Sequence, residues 1–226
     1  MKNLVTTATF FFATFLSINA QTRQIGNFTG LRVSANVSVK LVKADAPSIE
    51  YKMIKGNESS LITEVKGNNL KVKTISNSFW NNKKAKAKVI VYYTELDDIS
   101  VSASATLKSD DPIRADAMNI DISSGSSADL EVIAESIDVD VSSGATLKLE
   151  GSATEAKYDA SSGATINAKM MICEYVSADV SSGATIKLHA NKKLKAEASS
   201  GGSIRYTGDA DDTRIDKGWS GQISRM

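Results

Sequence analysis

The tripeptide Ser-Ser-Gly recurs through the second half of the chain, ending at Gly125, Gly144, Gly163, Gly183 and Gly201, with successive spacings of 19, 19, 20 and 18 residues. A unit that short cannot enclose a core alone, so each copy must stack on the next and share a core with it. The flanks repeat as well. The segment from Asp140 to Leu149 returns as Asp159 to Ala168 and Asp179 to Leu188, and more loosely as Asp121 to Leu130 and Glu197 to Tyr206. Degenerate copies stand upstream at Val101 to Lys108 and Val33 to Leu41.

Within each copy apolar and polar residues alternate, the two-residue period of a half-buried strand. Ile137, Val139 and Val141 face one way before the turn, and Ala145, Leu147 and Leu149 point inward after it. Aligning the copies stacks Met118, Ile137, Ala156, Val176 and Leu194 in one column and Leu107, Ala128, Leu147, Ile166, Ile186 and Ile204 in another. The pattern predicts an all-β fold, a parallel β-helix or solenoid with about 19 residues per coil and each coil pairing about 4.8 Å from its neighbour. Gly125, Gly144, Gly163, Gly183 and Gly201 are its turn positions, because a tight corner needs positive φ, which glycine adopts without steric cost. The spacings of leucine-rich repeats and calcium-binding β-rolls are missing.

Residues 1–20 read as a secretory signal peptide, with Lys2, an apolar stretch from Leu4 to Leu16 and small Ala20 at the cut. Its removal takes the formal charge from +1 to zero, and the mature chain is expected to be exported to the periplasm, the outer cell surface or the medium. The apolar run is too short to span a bilayer, and no transmembrane segment is expected in the mature chain. Residues 21–100 carry strand-like runs at Leu31 to Val42, Ile49 to Ile54, Leu61 to Val65, Leu70 to Ile75 and Lys88 to Tyr93, with Lys66-Gly67-Asn68-Asn69 as a hairpin turn. The reading is a single domain over residues 21–226. An N-terminal β-rich portion (21–100) caps regular coils (101–207), and a C-terminal tail or cap (208–226) follows.

The balance of 27 basic against 26 acidic residues gives no basic footprint for nucleic acid. One cysteine excludes an intramolecular disulfide, and one histidine leaves a histidine metal cluster or a Ser-His-Asp triad without its parts. No catalytic residue, metal ligand or cofactor is assigned. Asp121, Asp140, Asp159, Asp179 and Glu197 form a column two residues before each Ser-Ser. It could bind Ca²⁺ or serve glycan cleavage; hydrogen bonding at the turn is the favoured reading, because a catalytic site would interrupt the repeat. A cationic column, Lys108, Asp129, Lys148, Asn167, Lys187 and Arg205, reads as a solvated face. Cys173 replaces small residues in an inner column (Ala115, Ala134, Ala153, Asn191), and His189 aligns with outward Glu131, Glu150 and Lys169. Phe79 and Trp80, in a polar loop, and Trp219 are the candidate ligand contacts; packing against the open solenoid ends is the competing reading and the favoured one.

Ile25 to Phe28, Val33 to Leu41, Val89 to Tyr93 leading into Leu96 to Val101, and the serial Ser-Ser-Gly copies closing on Ser199 to Ile204 resemble the putative auto-transporter adhesin, head GIN domain family of exported bacterial proteins. The resemblance implies a β-helical fold, right-handed as most crossovers are, a cell-envelope or secreted address and an adhesive role, and it carries over no functional residue. The expected function is a non-enzymatic binding or adhesion module contacting a cell-surface glycan or protein. A glycan-active β-helical enzyme and a structural envelope subunit that self-associates through its ends stay open.

Overall fold

The computed structural model describes residues 21–75 and 85–226. Its strands join one 17-stranded sheet. They are β1 (Gln21–Gln24), β2 (Gly30–Ser34), β3 (Val37–Lys43), β4 (Ser48–Lys55), β5 (Leu61–Lys66), β6 (Asn69–Thr74), β7 (Lys86–Tyr93), β8 (Asp98–Ser102), β9 (Thr106–Ser109), β10 (Ile113–Ile122), β11 (Ser127–Val141), β12 (Thr146–Ala160), β13 (Thr165–Val180), β14 (Thr185–Ala198), β15 (Ser203–Thr207), β16 (Asp212–Lys217) and β17 (Gln222–Arg225). Wound together they make a β-solenoid of about 7 turns with about 19 residues per coil.

Each long strand runs from one Ser-Ser-Gly corner to the next and bends once on the way. The near corner is a β-turn with both central residues at positive φ, 54° at Ser143 and 69° at Gly144, as in type I′ turns. Ala145 N–H closes the turn by donating to Ser142 O at 3.1 Å, and Gly144 N–H donates to Ser162 O of the next coil at 3.0 Å. The same pair of bonds recurs at the corners of Gly125 and Gly163. The corner demands more than one glycine supplies: the preceding serine is left-handed too, a conformation that costs a non-glycine residue about 1 kcal/mol. Buried alanines, Ala145, Ala164 and Ala184, follow the corners. Where Ser126 takes that place, its hydroxyl lies 2.5 Å from Ser123 O and 2.8 Å from Val101 O, so the buried polar group is satisfied.

The far bend falls at Glu135, Thr154 and Glu174, where the parallel ladder skips a residue and the inward-facing positions change parity. Both predicted apolar columns are in register and buried. Each fully buried leucine or isoleucine there contributes about 1.5–3 kcal/mol.

The run read as one strand from Leu31 to Val42 is broken by a corner of the same kind, Ala35 at φ 60° and Asn36 at 58°, into β2 and β3. These form the first coil, with β8 and β9 on one side and β6 and β7 on the other. Beyond them β5, β4 and β1 add antiparallel, with the predicted hairpin turn at Gly67-Asn68 joining β5 and β6. Residues 208–226, read from the sequence as a C-terminal tail or cap, wind as a further coil: β16 stacks on β14 and β17 on β15.

Candidate functional site

Asp121, Asp140, Asp159 and Asp179 stand in register with Glu197 and, on the last coil, Asp216. Among the described residues these carboxylates accept none of the turn hydrogen bonds expected of them; the N–H groups of Ser142, Gly144 and Ala145, and of their equivalents at the neighbouring corners, donate to backbone carbonyls instead. Ion pairs along the strand hold two of them instead, Lys157–Asp159 at 2.6 Å and Lys195–Glu197 at 2.7 Å. Partial burial, and then repulsion from the carboxylates above and below, holds Asp140 and Asp179 above the usual carboxylate value of 3.8. No three His, Cys, Asp or Glu side chains converge into a metal-binding group among the described residues. On the opposite face Lys148 bridges Asp129 at 3.2 Å and Glu150 at 2.9 Å, which neutralises the middle of the cationic column.

The regular coils lose register at β13. Between β13 and β14 the pairing jumps from Ala168↔Leu188 to Ile172↔His189, leaving 169–171 unpaired with β14. This bulge explains two differences from the expected alignment. Cys173 pairs with Ala190 and not Asn191, and His189 pairs with Ile172 rather than continuing the outward column of Glu150. Cys173 is fully buried as a small core residue, 3.8 Å from the Tyr158 hydroxyl, and burial pushes its thiol pKa up. His189 is half-buried and held on both ring nitrogens, by Thr207 Oγ1 at 3.1 Å and Asn191 Oδ1 at 2.7 Å.

The bulge turns apolar side chains outward. Met170 is 57% exposed, Ile172 42% and Tyr175 41%, a grouping not repeated at the far bends of β11 or β12. Tyr175 opens onto a groove of about 640 Å³ that crosses β10 to β14 just past the far bend. Ser136, Asp138, Lys157, Ser177 and Lys195 line it, together with Lys193. Each of its lysines meets a carboxylate: Lys157 with Asp159 and, at 3.6 Å, Asp138; Lys193 with Asp212 at 3.0 Å; and Lys195 with Glu197. Sequence alignment missed this site. Its one signal was the 20-residue spacing from Gly163 to Gly183, which marks an extra residue but not its place.

Phe79 and Trp80 lie outside the described residues. Trp219 does not pack against the solenoid end: it is 91% exposed, because it occupies a corner. Gly221 N–H donates to Gly218 O at 3.1 Å, making Gly218-Trp219-Ser220-Gly221 the turn of the last coil, and Ser220 alone has positive φ there, 53°. Trp219 keeps negative φ and projects from the turn. The structure does not bring Trp219 to the β13 bulge within one groove; the lining of that groove does not include it.

The family model described as putative auto-transporter adhesin, head GIN domain, matches residues 27–210. The chain belongs to this family. Among solved structures, a putative adhesin from Bacteroides fragilis superposes on this head GIN domain with a TM-score of 0.83 at 18% identity, over 92% of this chain and 96% of that one. A putative adhesin from Parabacteroides merdae gives 0.72 at 16% identity, over 92% and 95%. A protein from Parabacteroides distasonis described as a putative lipid binding protein gives 0.68 at 20%, over 93% and 98%. At these identities the likeness concerns the fold. No curated protein shows significant sequence similarity to the chain. Membership in this family of putative adhesins supports a binding or adhesion role and a place at the cell surface or outside the cell. No helix among the described residues is long and apolar enough to cross a membrane.

Proposed function

We propose that this head GIN protein is a non-enzymatic, exported binding module of the bacterial cell envelope that holds a neutral or weakly charged glycan in the groove beside Tyr175. The observation that carries this reading is the coincidence of the β13 register break with an exposed aromatic at the groove edge. An aromatic face offers a rigid stacking platform, and Ser136 and Ser177 offer hydroxyls two coils apart, about 10 Å along the groove. Pairing of the groove lysines with carboxylates favours a ligand without strong charge. Trp80 and Trp219, the latter outside the groove lining, are further candidate contacts. The exposed Met170 and Ile172 favour a second reading, in which the partner at this bend is a protein.

Screening the purified protein on a glycan array tests the first reading: wild type binds, Tyr175→Ala loses at least about tenfold in affinity with an unchanged melting temperature, and polysaccharides release no reducing sugar. Absence of glycan binding, or full-strength binding by Tyr175→Ala, would overturn it. A protein-binding bend would instead show its loss on Met170→Ser/Ile172→Ser.

A further inference from the structure

The two ends of the solenoid are finished differently. At the N-terminal end the sheets continue into antiparallel β1, β4 and β5, whereas at the C-terminal end, among the described residues, β16 and β17 each pair on one side only. Every residue of β16 is exposed. Ile215 is 42% exposed, although the residues above it in its column, Ala196, Ala178 and Tyr158, are buried to within 2%. The coil lies beyond residue 210, where the family match stops.

We propose that this coil is a self-association surface, on which β16 of one copy pairs antiparallel with β16 of a second copy about a two-fold axis. Backbone direction limits the registers. Gly218 N–H points to Ala198 O of β14, so by the two-residue period Asp212, Arg214 and Asp216 face β14, while Thr213, Ile215 and Lys217 present free N–H and C=O groups outward. Antiparallel pairs must match outward residues with outward residues. Centring the two-fold on Arg214 or on Asp216 sets like charges opposite each other. Centring it on Ile215 matches Ile215 with itself, exchanges two backbone hydrogen bonds there, and sets each Arg214 opposite the partner's Asp216. The strand Asp-Thr-Arg-Ile-Asp-Lys is therefore charge-complementary to its own reverse, whereas an edge blunted against association uses charge to repel. Such an isologous contact closes at two copies. It runs the outer faces of both sheets together, so the two grooves lie end to end, and it does not depend on what they bind.

Sedimentation velocity over a concentration series tests this, with circular dichroism to show each variant folded. Wild type sediments as a monomer–dimer equilibrium. Arg214→Asp weakens the dimer at least about tenfold, since both copies of the pair are lost, Ile215→Lys does the same, and the double variant Arg214→Asp/Asp216→Arg recovers wild-type association. A wild type that stays monomeric at every concentration, an Arg214→Asp protein that dimerises as wild type does, or a double variant that stays as weak as the single one would each overturn the proposal.

Discussion

Each coil turns twice, and the two bends are built on different principles. From Gly125 to Gly183 the near corner is the same object from coil to coil: two left-handed residues, one bond inside the turn and one to the next coil. Its side chains are short and exposed and do little beyond permitting the backbone. The far bend has no fixed sequence. It is Glu135 in β11, Thr154 with the nearby Gly151 in β12, Glu174 preceded by the bulge with exposed Met170 in β13, and Asn191-Lys192 in β14. Because the ladder skips there in every long coil, an added residue is absorbed locally and the inner columns beyond it stay in register. The comparison teaches where this fold can vary without unwinding, and the groove and its aromatic sit at that variable bend.

The largest effect is expected at Gly151, where φ is 117° and an added Cβ would lie 2.0 Å from Val132 O. Gly151→Ala must push two coils apart, and thermal unfolding should show a loss of about 3–5 kcal/mol. A melting temperature within a degree or two of wild type would mean that the far bend yields more than its backbone contact allows. Gly144→Ala comes next. Nothing lies within 4 Å of its added Cβ, so only the left-handed backbone is strained, at about 1–2 kcal/mol, and the same substitution at Gly163 should cost the same if the corners are equivalent.

A smaller effect follows from the carboxylate column. A carboxyl whose pKa is higher in the folded than in the unfolded chain binds its proton more tightly when folded. Asp140 and Asp179 therefore add stability as pH falls from neutral toward 3.8. Asp110 and Asp212, lowered by hydrogen bonds from Lys40 and Lys193, act in the other direction, and their contribution is lost as pH falls below 3.8. Melting temperature should thus rise on mild acidification and drop on stronger acidification. Asp140→Asn/Asp179→Asn should melt higher at pH 7 and lose the rise; an unchanged rise would remove these two groups as its cause. The smallest stability effect belongs to Met170→Ser with Ile172→Ser, within about 0.5 kcal/mol as for exposed positions generally.

The near corner was the more legible of the two bends. Alternation and spacing were enough to place the strands, the inner columns and the glycines, because backbone stacking forces the same residue types into the same places. Two local features stayed hidden. Left-handed φ at Ser143 leaves no mark, since serine is common in any loop, and the carboxylates beside the corner suggested turn hydrogen bonds that the backbone had already taken. The last corner was legible but unread: Gly202 and Gly221 are 19 residues apart, and Trp219 masked the copy by standing where the others have serine. At the far bend, several residues can take up one insertion, so spacing gives its presence without its position, and neither the β13 bulge nor the exposure of Tyr175 could be placed.

The most direct test of the account is the binding of Tyr175→Ala to whichever array glycan the wild-type protein retains, measured beside Gly144→Ala at a temperature where both are folded. The account predicts at least about a tenfold loss for Tyr175→Ala and wild-type affinity for Gly144→Ala. Equal affinities for the two variants, or a loss confined to Gly144→Ala, would contradict it.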